Sequence, residues 1–202
     1  MFGLDGSIGG PSIRSSLSVT NAIRQTMKAV LKEVWKGYKS LERELTRRWY
    51  TFKVRERASS VGERLRVNGP SNVNAKTSLG DNVNFNGIEV RGDGELAIGD
   101  NFHSGPDIRI LTRNHDYDNG NAIPYDNTYI RNPVEIGDNV WLGAGVAVMP
   151  GVEIGEGAIV QAGSTVVNDV PRGAIVGGHP AEQFSERDMD HYSELKEKGK
   201  FH

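Results

Sequence analysis

The chain has no cysteine among its 202 residues, which excludes a disulfide framework, a thiolate nucleophile and a cysteine-based metal site, and is neutral about compartment. Aromatic residues make up only 7%, too few for a thick core built on rings. Histidine occurs five times, so any imidazole chemistry has few sources. The sequence holds no apolar run of about 18 residues and no secretory h-region, and a cytoplasmic protein is the resulting expectation. The net charge of −2 carries no overall signal, and nucleic acid is not an expected partner. Charge is nevertheless distributed unevenly: residues 13–57 carry +8, while residues 58–202 carry −9.

Glycine, by contrast, is abundant at 25 residues, and much of it falls at a fixed interval. From Ile136 to Pro171 the chain reads in sixes: IGDNVW, LGAGVA, VMPGVE, IGEGAI, VQAGST, VVNDVP. The first place is always aliphatic (Ile136, Leu142, Val148, Ile154, Val160, Val166), and the fifth is small or branched. The fourth place holds Asn139, Gly145, Gly151, Gly157, Gly163 and Asp169, all residue types that tolerate positive φ. A tight corner every six residues closes short strands into coils of three sides, and coils stack into parallel ladders about 4.8 Å apart.

Three domains are expected: residues 1–57, 58–184 and 185–202. Residues 1–17, rich in Gly and Ser, read as a flexible or surface-draped start. From about Thr20 to Lys53, Met27, Leu31, Val34, Tyr38, Leu41 and Leu45 recur at spacings of four and three, a helical stripe of heptad character with Lys28, Lys32, Lys36, Lys39, Arg43 and Arg47 opposite it. The stripe is expected to pack on protein, with weak peripheral contact to an anionic membrane as the secondary reading. Hexad phase first becomes clear at Leu79, slips by one before Ile98, and so places a bulge near residues 86–92. Ile136 comes 26 residues after Ile110, not a multiple of six, so TRNHDYDNGNAIPYDNTYIRNP leaves the coil as a long excursion. After Pro171 the glycines and Pro180 end the repeat. Ser185 to Asp188 then starts a short helix, with Met189, Tyr192 and Leu195 on one face, expected to cover the open end of the last coil.

The hexads resemble those of the hexapeptide-repeat acyltransferases over about Leu79 to Phe184. Asn114-His115-Asp116, the loop closing at Pro133 and the IGDNVWLGAGV that follows resemble the galactoside and maltose O-acetyltransferase branch, which includes polysaccharide O-acetyltransferases. That resemblance implies a mainly β fold, a left-handed parallel β-helix with an N-terminal amphipathic helix and a short C-terminal helix. It also implies a homotrimer that moves an acetyl group from acetyl-CoA to a saccharide hydroxyl, and it makes His115 the general base. Imidazole suits that task, because with a pKa near 6.5 it can take the proton of an attacking hydroxyl. The group orienting His115 is left open among Asp116, Asp118, Glu135 and a backbone carbonyl.

By the same resemblance the donor runs along Trp141, Gly143, Ala144, Ala162 and Gly163, with the Ala144 amide facing the developing oxyanion. Arg172 is the nearest cation for the nucleotide end, because Asn168 and Glu182 stand where relatives place Lys or Arg. Asn84, Asn86 and Asp93 are the candidate acceptor-binding residues. His103, beside Ser104, reads as structural or at most a rim contact, and His179 as a cap residue. The same base could serve a non-sugar or amino-sugar acceptor. A silent scaffold would need no excursion carrying a base, and a metal-hydrating β-helix would need three histidine ligands that His103, His115, His179, His191 and His202 are poorly spaced to supply. No metal is expected.

Overall fold

The computed structural model describes the backbone of residues 13–202 and side chains from residue 24 onward. Residues 1–12 of the expected flexible start lie outside the described residues. Residues 13–17 belong to a helix, α1, which spans Ile13–Arg57 and so begins before Thr20 and ends past Lys53. Two compact units divide the chain at Glu44/Leu45. In the first, α1 leaves Met27, Leu31, Val34, Tyr38 and Leu41 more than half exposed.

The second unit is a parallel β-helix of about six coils with three faces. The first face stacks strands ending at Val61, Leu79, Ile98, Ile136 and Ile154. The second stacks those ending at Val67, Phe85, Ser104, Leu142, Val160 and Gly178, and the third those ending at Arg91, Leu111, Val148 and Val166. Register follows the repeat: Ile136 pairs Ile154, Leu142 pairs Val160 and Val148 pairs Val166. All six first-place residues and all six fifth-place residues are buried. Burying such a side chain contributes about 1.5–3 kcal/mol, so the thin core is stabilised rung by rung. At the fourth place Asn139, Gly145, Gly151, Gly157 and Gly163 have φ between 59° and 87°. Asp169 departs from the pattern. It lies outside the positive-φ set, and its carboxylate accepts the Glu153 N–H at 2.8 Å in a shortened last coil, where Val170 bridges back to Ile154.

Three corners join the faces, and their contents position everything below. The first corner, between first and second faces, holds residues 99–101, 137–139, 155–157 and 171–173. The second, between second and third faces, holds 86–87, 105–107, 143–145 and 161–163. The third, between third and first faces, holds 92–95, the excursion 112–133, 149–151 and 167–169. The expected bulge is the irregular stretch between Phe85 and Leu96, with Gly87 and Gly92 at positive φ.

At one end the last turns of α1 close the first coil: Val54 is buried in the core, and Thr51 Oγ1 accepts the Val67 N–H at 3.1 Å. The other end differs from expectation. Ala181–Glu186 folds back antiparallel on Ala174–Gly178, so Ser185 and Glu186 are strand residues and cannot start a helix. The second helix, α2, spans Met189–Glu197 with Asp188 as its N-cap, accepting the His191 N–H at 3.0 Å. It lies along the first corner instead of over the open end. Tyr192 donates to Glu156 at 2.7 Å, accepts from Asn139 at 2.8 Å, and its ring rests on Gly157.

Candidate active site

The excursion is an antiparallel ribbon, Arg113–His115 against Tyr129–Arg131, with His115 opposite Tyr129. Two arginines anchor its root on the third corner. Asp93 accepts from Arg131 at 2.7 and 2.9 Å and from Arg113 at 3.2 Å, and these bonds, Arg131 first, hold its carboxyl down at about 2. The Arg113 guanidinium also lies 4.1 Å from the Tyr129 ring centroid. A ribbon only three pairs long is too short to hold itself, so this clamp does what a wider sheet would otherwise do.

His115 sits half-buried between two rings. Tyr125 stacks on it at 3.8 Å between centroids, and Tyr129 lies tilted at 4.5 Å. Its Nδ1 is 3.2 Å from the Asp126 carbonyl oxygen. A donating Nδ1–H there leaves Nε2 as the basic nitrogen. The orienting group is thus a backbone carbonyl, not a carboxylate of Asp116, Asp118 or Glu135. Asp116 instead accepts from the Asn119 backbone and side chain at 2.9 and 3.0 Å. Asp126 is itself fixed: its carboxylate takes the Asn121 N–H at 2.7 Å, the Thr128 N–H at 2.8 Å and the Thr128 hydroxyl at 2.6 Å, which hold its carboxyl down at about 2. The turn that presents the carbonyl to His115 is therefore tied in three places.

Four of the six expected donor residues, Gly143, Ala144, Ala162 and Gly163, are gathered elsewhere, at the second corner. Gly143-Ala144 and Ala162-Gly163 stack one coil apart, so closely that a Cβ on Gly143 would meet the Ala162 nitrogen at 2.4 Å. Both alanines are exposed, and among the described residues nothing accepts their backbone N–H groups. Two unclaimed amide donors therefore line one edge. Trp141 projects outward from the second face, 53% exposed, into a hollow of about 390 Å³ that it shares with His103, Tyr192, Phe201 and His202. His103 is half-buried there, its pKa pushed down by burial, and its Nε2 has no partner among the described residues. Arg172 lies on the first corner, 3.6 Å from Glu156. His115, the alanine amides and Arg172 thus occupy three different edges of one chain.

The candidate acceptor residues are also divided. Asp93 shares the third corner with His115 but is committed to its two arginines. Asn84 and Asn86 are joined by Asn68, whose side-chain amide donates to both at 2.8 and 3.0 Å, and Asn86 donates to the Ser104 carbonyl at 2.7 Å. Asn86 borders an open cavity of about 620 Å³ beside the second corner, with Tyr50, Lys53, Ser71, Asn72, Arg109 and Gly145 in its wall.

Residues 126–168 match the bacterial transferase hexapeptide (six repeats) family. A putative acetyltransferase of Staphylococcus aureus is 37% identical over 187 residues, covering 76% of this chain and 94% of that protein. The chain belongs to the hexapeptide-repeat acetyltransferases. Escherichia coli galactoside O-acetyltransferase is 29% identical over 151 residues, 69% of this chain and 70% of that protein. A putative acetyltransferase of Saccharomyces cerevisiae is 36% identical over 105 residues, and the match spans about half of its length, 53%, and 52% of this chain. Among solved structures, the hexapeptide-repeat acetyltransferase VCA0836 of Vibrio cholerae superposes with a TM-score of 0.59 at 31% identity, over 65% of this chain and 76% of that one. Galactoside acetyltransferase in complex with coenzyme A does so with a TM-score of 0.59 at 27% identity, over 68% and 70%.

Tyr125, Tyr129, Arg113 and Asp126 were not singled out in the sequence. Their signal was only the concentration of Asp and Tyr in a loop of a chain otherwise poor in rings.

Proposed function

We propose that the protein transfers an acetyl group from acetyl-CoA to a hydroxyl of a saccharide, with His115 as general base, as part of a homotrimer. The observation that carries this reading is the fixed imidazole in the excursion: Nδ1 tied to a backbone carbonyl, the ring held between two tyrosines, and Nε2 left to accept a proton. Galactoside acetyltransferase with coenzyme A bound, and a maltose O-acetyltransferase of Clostridium difficile at 28% identity, support the donor and acceptor class.

In the reaction the acceptor hydroxyl attacks the thioester carbonyl while its proton passes to His115 Nε2. Negative charge then gathers on the former carbonyl oxygen, for which the unclaimed Ala144 amide is a ready donor. Collapse breaks the carbon–sulfur bond, and the imidazolium returns the proton to the leaving thiolate. The cavity bordered by Asn86 and Gly145 is of the size that small-molecule sites occupy, and its hydroxyl and amide groups suit a saccharide.

Because His115 and the alanine amides lie on different edges, a single chain does not assemble this machinery. A three-fold arrangement brings the third corner of one copy to the second corner of the next, which is the reason for proposing a trimer. An acceptor panel of neutral sugars, amino sugars and non-sugar alcohols, read by release of the coenzyme A thiol, tests the reading. Turnover with a sugar hydroxyl that vanishes in the His115→Ala variant is expected. Turnover confined to amines points to the amino-sugar acceptor, and none with any acceptor points to a silent scaffold.

A further inference from the structure

The exposed face of α1 has a shape that says what covers it. Met27, Leu31, Val34, Tyr38, Leu41 and Leu45 follow one another at spacings of four and three, the a and d positions of consecutive heptads, and each is 55–64% exposed. Val30 and Trp35, at 57% and 61%, flank that seam. At about 100° per residue they widen the apolar face to about 140° at its middle, while Lys28, Gly37, Glu42 and Glu44 hold the other flanking positions. An exposed a/d seam of this length is the pattern by which copies of one helix wind together, and the Val30–Trp35 turn gives each helix apolar contact beyond the seam at its middle. Lys32, Lys36 and Arg43 stand opposite the seam, where a bundle faces solvent, and the charges beside the seam are mixed in sign, Lys28 against Glu42 and Glu44, unlike the all-cationic flanks of a helix lying in a lipid interface.

We infer that α1 is the assembly helix of the protein: the segments around Met27–Leu45 of three copies wind into one parallel three-stranded coiled coil. In that arrangement Leu31, Tyr38 and Leu45 each meet their own counterparts, as do Met27, Val34 and Leu41. Val30 of one helix meets Trp35 of the next, the neighbour relation of a g position and the e position five residues on. This inference takes the number of copies from the proposed trimeric site but rests on a separate region of the chain.

The absence of native cysteine makes the test direct. Val34→Cys, in the seam, and Lys36→Cys, opposite it, are compared in the full-length protein by mild oxidation and non-reducing electrophoresis, with native mass spectrometry of the reduced protein alongside. The expected result is a trimer in both variants, with disulfide-linked pairs at least about tenfold more abundant for Val34→Cys. More salt is expected to strengthen the cross-link, because it screens repulsion among the three basic outer faces. A trimer with equal or no cross-linking overturns the coiled coil and leaves the shared active site standing. A monomer under all conditions overturns both. Cross-linking abolished by phosphatidylserine vesicles, with salt-sensitive binding to them, overturns the coiled coil in favour of a lipid surface.

Discussion

The repeat body and the excursion share one β-helix and obey different rules. In the body, position in the hexad decides everything: an aliphatic first place points in, a fourth place turns, and burial of apolar surface stabilises each coil. In the excursion no period survives. Its shape comes from an aspartate held by two arginines, a second aspartate holding a turn, and an imidazole between tyrosines. Order in the body is apolar and collective, while order in the excursion is polar and depends on single residues. The lesson is that collective apolar order and single-residue polar order are separable here, and substitutions should fall cleanly on one side or the other.

The sharpest test is His115→Ala. Turnover with the best acceptor is expected to fall about 100-fold or more, since general-base contributions are typically 10²–10⁴-fold, while the melting temperature stays within about 2 °C. A variant retaining a tenth of the rate would remove His115 from the role of base. Next comes the opposite case, Leu142→Ala in a fully buried inward place. It should cost about 2–5 kcal/mol of stability in denaturant titration, with turnover at low temperature within about twofold. A turnover loss as large as that of His115→Ala, in protein still folded, would erase the distinction between the two regions.

Asp93→Asn releases the root of the ribbon without touching the imidazole. Its expected effect is about a tenfold loss of turnover with little change in melting temperature, because misplacement of a catalytic group by a fraction of an ångström is costly in rate. Acid should then part the two regions without any substitution. Asp93 and Asp126 are both held near 2, below the ordinary aspartate value of about 3.9, so their bonds are fully present above about pH 4 and are lost as pH falls toward 2. Proteolysis by pepsin across that window should cut within 112–133 before the coil gives way. First cuts within the coil would show that the excursion does not depend on these carboxylates.

The smallest effect concerns the far end of the donor. Asn168 and Glu182 supply no cation, and Arg172 already faces Glu156. Removing the 3′-phosphate of acetyl-CoA should therefore weaken binding less than tenfold, under about 1.4 kcal/mol by titration calorimetry. A larger loss would mean that a cation of this chain, or of a neighbouring copy, reaches that phosphate.

How much of this was legible followed the same division. The coil could be read because its rule is local: Gly145, Gly151, Gly157 and Gly163 announce their corners one residue at a time. Asp169 broke the rule because its side chain found a neighbouring backbone N–H, a choice made by the shortened last coil. The place of the excursion was legible as a fault in the count between Ile110 and Ile136. Its interior was not, because the partner of His115 is a carbonyl that any residue could supply, placed by Asp126 eleven residues away. Asp93 read as a polar bulge residue because nothing local to it reveals Arg131. The start of α2 was misread for a related reason: Ser185 and Glu186 had a strand to pair with, and pairing prevailed over capping.

The manner in which the excursion is inserted has a consequence for how such a protein changes over time. Ile98 pairs Ile136, Ser104 pairs Leu142 and Ile110 pairs Val148, so the rungs on either side of the insertion meet as if it were absent. Lengthening a loop at such a point adds closure entropy only logarithmically, about 0.6 kcal/mol per doubling, and breaks no ladder bond. The coil thus behaves as a rack and the excursion as an exchangeable cartridge. Some twenty residues at one corner can be replaced or lengthened, with new polar side chains brought to that edge, while the rungs on either side keep the same frame.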